Sequence, residues 1–339
     1  MNKLVFLLGA SLFFSAVSAA GNVCKQGNIV NMGSVPYYWP STWRENQTAP
    51  QLGKEQSCSW TVTIPKGYYA KLIINGKTTD KDSRFQMIDS AGNLVQTTHE
   101  GMQPYYFPPS KLTLAVSNEA VATFAFKIIW APLPAGPKLI AGIGDTPHLV
   151  NVSDIGATAY SGILSLLIFP NDPKNMYHLR CSLVFQGTDS DGTYINNLHA
   201  FYNRRQQWVS TGGIYVVNLE DNPLADKDQM LVQSYLDTKQ LNDYEELVCG
   251  TNTTCTFTIN GRKGPSALVA VNGGNLTLTD IQMEKSANLS IYYGSISPFF
   301  FYKSYMGSEI QGLLPLIFDS SWVLQYVISS GKAVFTFAQ

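Results

Sequence analysis

The stretch CSWTVTIPKGYYAKLII, Cys58 to Ile74, decides the fold. Cys58, Trp60, Val62 and Ile64 alternate with polar residues, the period of a strand with one buried face. Pro65–Lys66–Gly67 interrupts the run, and Ala70–Lys–Leu–Ile–Ile74 opens another, so the stretch reads as strand, turn, strand. The same period recurs at 111–116, 122–128, 178–185, 214–217, 254–259, 276–281 and 333–337. Asn75–Gly76, Asn260–Gly261 and Asn272–Gly273–Gly274 read as hairpin turns between strands. One segment, 225–247, reads as helix, on poor apolar spacing. The expected class is all-β with little helix.

A strand that opens on a cysteine raises the question of that cysteine's partner, and the N-terminus bears on it. Lys3 supplies a positive start, Leu4 to Val17 an apolar run, and Ser18–Ala19–Ala20 the small residues of a cleavage site, so residues 1–20 read as a signal peptide. No later segment reads as transmembrane. The best, Leu313 to Val327, is interrupted by Pro315 and Asp319 and falls short of the ~20 residues a helical span needs. The expectation is a secreted, extracellular protein. In an oxidising compartment cysteines pair first. The chain has five. The expected bonds are Cys24–Cys58 and Cys249–Cys255, with Cys181 left as a small buried core residue. A Cys181–Cys249 bond competes with the second. Asn46, Asn151, Asn252, Asn275 and Asn288 each head an Asn-x-Ser/Thr sequon and read as glycosylation sites.

The charged fraction is 14% and the formal net charge −1. That excludes nucleic acid as a partner, which asks for a basic face, and an electrostatic membrane binder. The length after signal removal exceeds one ordinary core. Three prolines within Trp130–Ala–Pro–Leu–Pro–Ala–Gly–Pro137 mark a linker. The expected units are therefore a sandwich at 21–131, a Pro-rich linker at 132–145 and a second, larger β-rich domain at 146–339. The opening stretch also echoes within the chain. Cys58–Ser–Trp–Thr–Val–Thr–Ile with Lys66–Gly67 and Ala70–Ile74 matches Cys255–Thr–Phe–Thr–Ile with Lys263–Gly264 and Ala267–Val271. Ala115–Phe126 matches Val327–Phe337. The second half thus reads as an enlarged copy of the first.

Cys24, Tyr37–Tyr–Trp–Pro40, Cys58–Ser–Trp60, Ile64–Pro–Lys–Gly67, Ser117–Asn118 and Phe124–Trp130 together resemble the CUB-like domain of nematode secreted proteins. Gln207–Trp208, Tyr215–Glu220 and Tyr292–Tyr–Gly294 resemble the downstream part of the same family. The resemblance implies tandem jelly-roll (CUB-like) β-sandwiches, export, and a role in innate defence against bacteria. It carries no catalytic residues. It departs from calcium-binding CUB domains: Ser83 stands where they have an aspartate, and hard cations need several convergent carboxylates. No metal and no cofactor is expected.

The remaining motifs read blandly. The four histidines lack metal-ligand spacing, Asp189–Ser–Asp191–Gly192 reads as a Gly-ended turn rather than a calcium loop, and Asp221, Asp226 and Asp228 read as a solvated acidic loop. Trp39 and Trp43 are the candidate ligand contacts, since tryptophan stacks on sugars. Trp60 and Trp130 sit on strand patterns and belong to the core. Tyr105–Pro109 and Pro298–Tyr302 are aromatic runs that do not alternate. They read as buried crossings, or, if exposed, as a binding surface. The expected function is non-enzymatic recognition of an extracellular glycan or protein. The alternative is a structural or protective component of the gut lumen or surface coat.

Overall fold

The computed structural model describes residues 27–339, apart from 31–32, 145, 221–226, 272–273 and 320–322. The expected signal peptide, Cys24, Asp221 and Asp226 lie outside the described residues.

The described residues fold into six β-sheets. The first unit holds β1 (Gly27–Ile29), β2 (Tyr37–Trp39), β3 (Gln51–Leu52), β4 (Gln56–Ile64), β5 (Tyr68–Lys77), β6 (Arg84–Ile88), β7 (Leu94–Thr97), β8 (His99–Gly101), β9 (Tyr105–Phe107), β10 (Ser110–Asn118) and β11 (Ala122–Pro132). The second holds β12 (Leu139–Gly142), β13 (His148–Asn151), β14 (Ala157–Ser161), β15 (Leu164–Phe169), β16 (Ser182–Gln186), β17 (Thr193–Asn197), β18 (Trp208–Val209), β19 (Ile214–Asn218) and β20 (Gln229–Ser234). The third holds β21 (Asp243–Glu246), β22 (Thr254–Gly261), β23 (Ser266–Ala270), β24 (Asn275–Gln282), β25 (Asn288–Tyr293), β26 (Phe301–Met306), β27 (Leu316–Asp319), β28 (Leu324–Ile328) and β29 (Gly331–Ala338). The two α-helices among the described residues are single turns, α1 (Leu198–Phe201) and α2 (Tyr235–Thr238).

The three units share one topology. Their five-stranded sheets run β1-β4-β10-β6-β7, β12-β14-β19-β16-β17 and β21-β23-β28-β25-β26. Their partner sheets run β2-β11-β5-β8, β13-β20-β15-β18 and β22-β29-β24-β27. In chain order within each unit, leaving out the short β3 and β9, these are the same two sequences of strands. In each unit the first strand lies parallel to the third, β1 on β4, β12 on β14 and β21 on β23. The all-β class and the tandem sandwiches are as expected, and the enlargement of the second half is a further copy of the same jelly roll. The topology breaks at 235–242, inside the segment expected to be one domain.

The six sheets form a stack, with an apolar layer at each of its five interfaces. Within the units these are Trp60, Leu72, Phe85 and Phe126, Leu164, Val184, Val216 and Met230, and Leu268, Ile291, Tyr326 and Phe335. Tyr69 and Tyr106 pack on Phe185 and Tyr215 between the first and second units. Leu167, Phe169 and Leu231 pack on Tyr244, Ala267 and Val269 between the second and third. The stacking explains what alternation reveals and what it hides. In β4, on an outer sheet, buried and solvent-facing positions alternate. Every residue of β15, β23 and β28 is buried, because those strands have a core on both faces. Such strands read as continuous apolar runs, which periodicity cannot assign.

Four local expectations change. Asn75–Gly76 is no turn: it lies inside β5, paired with Phe124 and Ala125. A Cβ on Gly76 would sit 2.9 Å from the Thr123 carbonyl oxygen and 3.0 Å from the Phe85 ring, so close packing, not a turn, requires the glycine. Asn260–Gly261 ends β22, still in register with Gly331 and Lys332. The described part of the expected helix 225–247 is strand β20, one helical turn and strand β21, and Leu231 and Tyr244 serve the inter-unit core there. The internal repeat is half real. The closing strands β10 and β11, one in each sheet, are equivalent to β28 and β29, but β4 is the third principal strand of its unit and β22 the second. Alternating strands of similar composition match in any register, which produced that part of the echo.

The candidate ligand cleft between the first and second units

The first unit meets the second through polar ties around the apolar layer. Lys71 Nζ lies 2.5 Å from Glu220 Oε1, and the Tyr106 hydroxyl donates to Glu220 Oε2 at 2.5 Å. Burial, then the Glu220 contact, pushes the Tyr106 phenol far up, so it stays a donor. Asn93 Nδ2 donates to the Ile195 carbonyl at 2.8 Å. At the rim Lys66 and Asp191 form an exposed pair at 2.9 Å, worth little in stability.

Above this junction opens a cleft of about 810 Å³. Three tight turns shape it. The β4–β5 turn brings Lys66 and Gly67, and Gly67 takes a left-handed φ of +81°. The β6–β7 turn is held by Asp89, whose carboxylate accepts from the Ala91 and Asn93 amides, both at 2.9 Å, and from Asn93 Nδ2 at 2.8 Å. The β16–β17 hairpin carries Asp189–Gly192. Asp189 Oδ1 accepts from the Asp191 amide at 2.9 Å, and a Cβ on Gly192 would lie 2.2 Å from the Gln186 carbonyl. The walls present hydroxyl and amide groups from Ser90, Asn93, Ser110, Ser190 and Thr193, with Phe185 and Tyr194 beneath. Convergent hydroxyl and amide groups suit a ligand held by hydrogen bonds, and the buried Phe185 and Tyr194 support the floor beneath them.

The residues expected at a ligand site lie elsewhere. Trp43 is 2% exposed and packs with Ala49 and Ala125, its indole N–H donating to the Gln47 carbonyl at 3.1 Å. It is a core side chain, and the expectation of ligand contact is corrected: its ring has no free face. Trp39 is half-buried against the first core, 5.1 Å from Trp60 and 6.0 Å from Phe126 between ring centroids. Trp60 and Trp130 are buried, and Trp130 donates to the Thr63 carbonyl at 3.1 Å. The two aromatic runs divide. Tyr105, Tyr106 and Phe107 are buried. Phe299, Phe301 and Tyr302 are 77%, 46% and 54% exposed, on and beside the edge strand β26 of the third unit.

Asp228 does not lie in a solvated loop. It is fully buried and paired with His178. Where calcium-binding CUB domains use an aspartate, Ser83 donates to Asp80 Oδ2 at 2.5 Å and accepts from the Glu119 amide at 2.9 Å. The Ser83 hydroxyl and neighbouring amides hold the Asp80 carboxyl below its usual range.

Cys249 and Cys255 are bonded, their Cα atoms 5.7 Å apart. Cys58 is disulfide-bonded, and its expected partner Cys24 lies outside the described residues. Cys181 is a free, buried thiol that donates to Asn218 Oδ1 at 2.9 Å. Burial pushes it up to about 11. Among the sequons, Asn46, Asn252 and Asn275 are exposed. Asn151 and Asn288 are half-buried, and their side chains bond to Asp154 and Ser304.

Lys66–Gly67 and Asp189–Gly192 are legible as turns along the chain, but nothing in their spacing shows that they share a cleft. Arg180 and Asn93 belong to no motif, and Glu220 enters only as the end of the Tyr215–Glu220 resemblance. Each reaches across to the other unit, Arg180 to Tyr105, Glu220 to Lys71 and Asn93 to Ile195, only because the units stack.

The fold thus defines a tandem jelly-roll protein. Residues 19–134 match the family model for the CUB-like domain, a type of module that is typically extracellular, and the match is confined to the N-terminal unit. Residues 236–339 match a domain of unknown function (DUF7591), whose start coincides with the break between the second and third units. No curated protein matches the chain. Among solved structures, the CUB1-EGF-CUB2 domains of rat MASP-1 are 10% identical, with 92% of this chain and 99% of that chain covered and a TM-score of 0.25. The extracellular region of zebrafish Gpr126/Adgrg6 is 8% identical, with 92% and 52% covered and a TM-score of 0.24. Similarity at this level does not establish a common arrangement of units. No helix among the described residues is long and apolar enough to cross a membrane.

Proposed function

We propose that the protein is an exported, glycosylated, non-enzymatic binding protein that takes an extracellular glycan into the cleft between its first two units, as an effector of antibacterial defence. The observation that carries this is the cleft itself: about 810 Å³, walled by hydroxyl, amide and charged groups from three turns, over aromatic side chains. The CUB-like first unit supports binding over catalysis. The lining residues include serines and an aspartate but no histidine to serve as base beside them. Export and the defence role rest on the signal-like N-terminus and the family resemblance.

The test is saturable binding of purified protein to a glycan array and to whole bacteria. Thr193→Trp, at an exposed position on the wall, should fill the cleft and weaken binding at least about tenfold, the loss of one or two hydrogen bonds, with an unchanged melting temperature. Phe299→Ser should leave glycan binding intact. Flat binding across all sugars, or full affinity in Thr193→Trp, overturns the reading.

One observation favours a second reading, the structural coat component. The exposed aromatic side chains around β26 sit on a sheet edge, the kind of surface through which chains associate. Concentration-dependent assembly abolished by Phe299→Ser would support it, and a monomer at all concentrations would remove it.

A further inference from the structure

Beside the cleft lies a smaller, more enclosed cavity of about 110 Å³. Asn93 and Tyr194 line both spaces, so the two adjoin. The first unit contributes Tyr105 and Tyr106, and the second contributes Arg180, Asn196 and His199. Arg180 is the permanent cation among the lining residues. Its guanidinium carbon stands 3.8 Å from the centre of the Tyr105 ring, which fixes the group in place. Its Nη1 is buried and makes no hydrogen bond. Glu100 Oε2 lies 3.9 Å away, close enough for charge pairing but too far for a hydrogen bond. The other Glu100 oxygen accepts from the Tyr105 hydroxyl at 2.5 Å.

A buried donor left unmade costs about 1–3 kcal/mol, more when charged. Arg180 lines the cavity with its side chain 15% exposed, so the exposed part of the guanidinium fork can give an entering carboxylate a charge-assisted bond. The acid in the wall, Asp89, has its carboxylate engaged within its own turn. His199 faces the same space. Burial, then Arg180 and His178, hold it down at about 4, so at neutral pH it is uncharged and offers one ring N–H. By the same kind of measure one water needs about 10–15 Å³, so a carboxylate fits with solvent to spare.

We infer that this side cavity receives the carboxylate of an acidic sugar whose remaining rings lie in the cleft. The inference rests on the glycan reading above and narrows it: the ligand class is a carboxylate-bearing glycan, with Arg180 as the anchoring residue and His199 as a second donor.

The test compares an oligosaccharide ending in glucuronic acid with the same oligosaccharide carboxyl-reduced to glucose, and adds methyl glucuronide and acetate as small probes. Binding is read by calorimetry and His199 is followed by NMR. The wild-type protein should bind the acidic oligosaccharide at least about tenfold more tightly than its neutral twin. Arg180→Gln should remove the preference, so that it binds the two oligosaccharides equally, and a bound carboxylate should raise the His199 titration midpoint. Equal affinity of the wild type for both oligosaccharides overturns the carboxylate inference and leaves the glycan reading standing. Binding of neither, with methyl glucuronide still moving His199 in the wild type but not in Arg180→Gln, keeps the side cavity and overturns the cleft reading. A response to acetate equal to that to methyl glucuronide marks a general small-carboxylate site and overturns the sugar assignment. No response to any probe overturns both. Should Arg180→Gln fail to fold, the wild-type comparison decides alone.

Discussion

Asp228→Ala is expected to lower the unfolding free energy by about 3–5 kcal/mol, because the buried His178 ring and the Asn171 amide both lose their acceptor, at about 1–3 kcal/mol for each unmade bond. The physical basis is complete burial. Asp228 and His178 pair with side chains 0% and 4% exposed, and Asp228 Oδ1 also accepts from the Asn171 amide at 2.8 Å. The Asp228 carbonyl accepts from the Val152 amide at 2.9 Å, which ties β20 to the turn after β13. Without the carboxylate, the imidazole and the Asn171 amide both lose their acceptor inside the second unit. Asp228→Asn keeps an acceptor oxygen and should lose less. Urea unfolding of the two variants decides the matter, and a loss under about 1 kcal/mol for Asp228→Ala would show that water replaces the carboxylate. Because the second unit stands between the other two, its loss should release both junctions.

Acidification should act on those junctions in opposite directions. His199, at the first junction, has its folded titration pushed down to about 4 from an ordinary 6.5, by burial first and then by Arg180 and His178. The folded state therefore disfavours the proton. Its contribution is whole above pH 6.5 and is lost as the pH falls toward 4, about 2–3 kcal/mol in all after allowance for partial exposure. Glu246, on β21 at the second junction, is raised from 4.5 to about 7 by burial, opposed by Arg204 and reinforced by Glu245. Arg204 Nε reaches it only at 3.8 Å. Its charged form strains the fold above pH 7, and the strain is relieved as the pH falls toward 4.5, by a similar amount. Global stability should then change little between pH 7 and 4.5, while hydrogen exchange, corrected for its intrinsic pH dependence, rises in β9 and falls in β21. His199→Gln should abolish the first change and Glu246→Gln the second. Parallel changes at both junctions would contradict the assignment.

Legibility followed burial. The outer strands announce themselves because one face is wet: Cys58 to Ile64 alternates in sequence as in space. Leu164–Phe169 and Leu324–Ile328 do not alternate, because sheets pack on both their faces. The second sandwich is built largely from such strands, so it was folded into an enlarged second domain. Asn75–Gly76 misled for a related reason: the glycine answers the Phe85 ring on a neighbouring sheet, a contact invisible along the chain. Residue type alone puts Trp43 among ligand contacts, whereas its neighbour Ala125 comes from a strand some eighty residues on. The cleft was the least legible feature. Its turns were each readable as turns, but Lys66 and Asp191 are brought to 2.9 Å only by the packing of one unit on the next.

The chain's own order of residues determined the all-β class, the alternation of the outer sheets, the positions of most turns and the pool of cysteines from which the disulfides are drawn, since each is a local property of spacing and backbone chemistry. Tertiary structure decided that there are three copies of one topology, that Asp228 is buried and Trp43 enclosed, and that Arg180 faces a cavity. These depend on which faces meet across the stack, and a face buried twice leaves no periodic trace in the sequence.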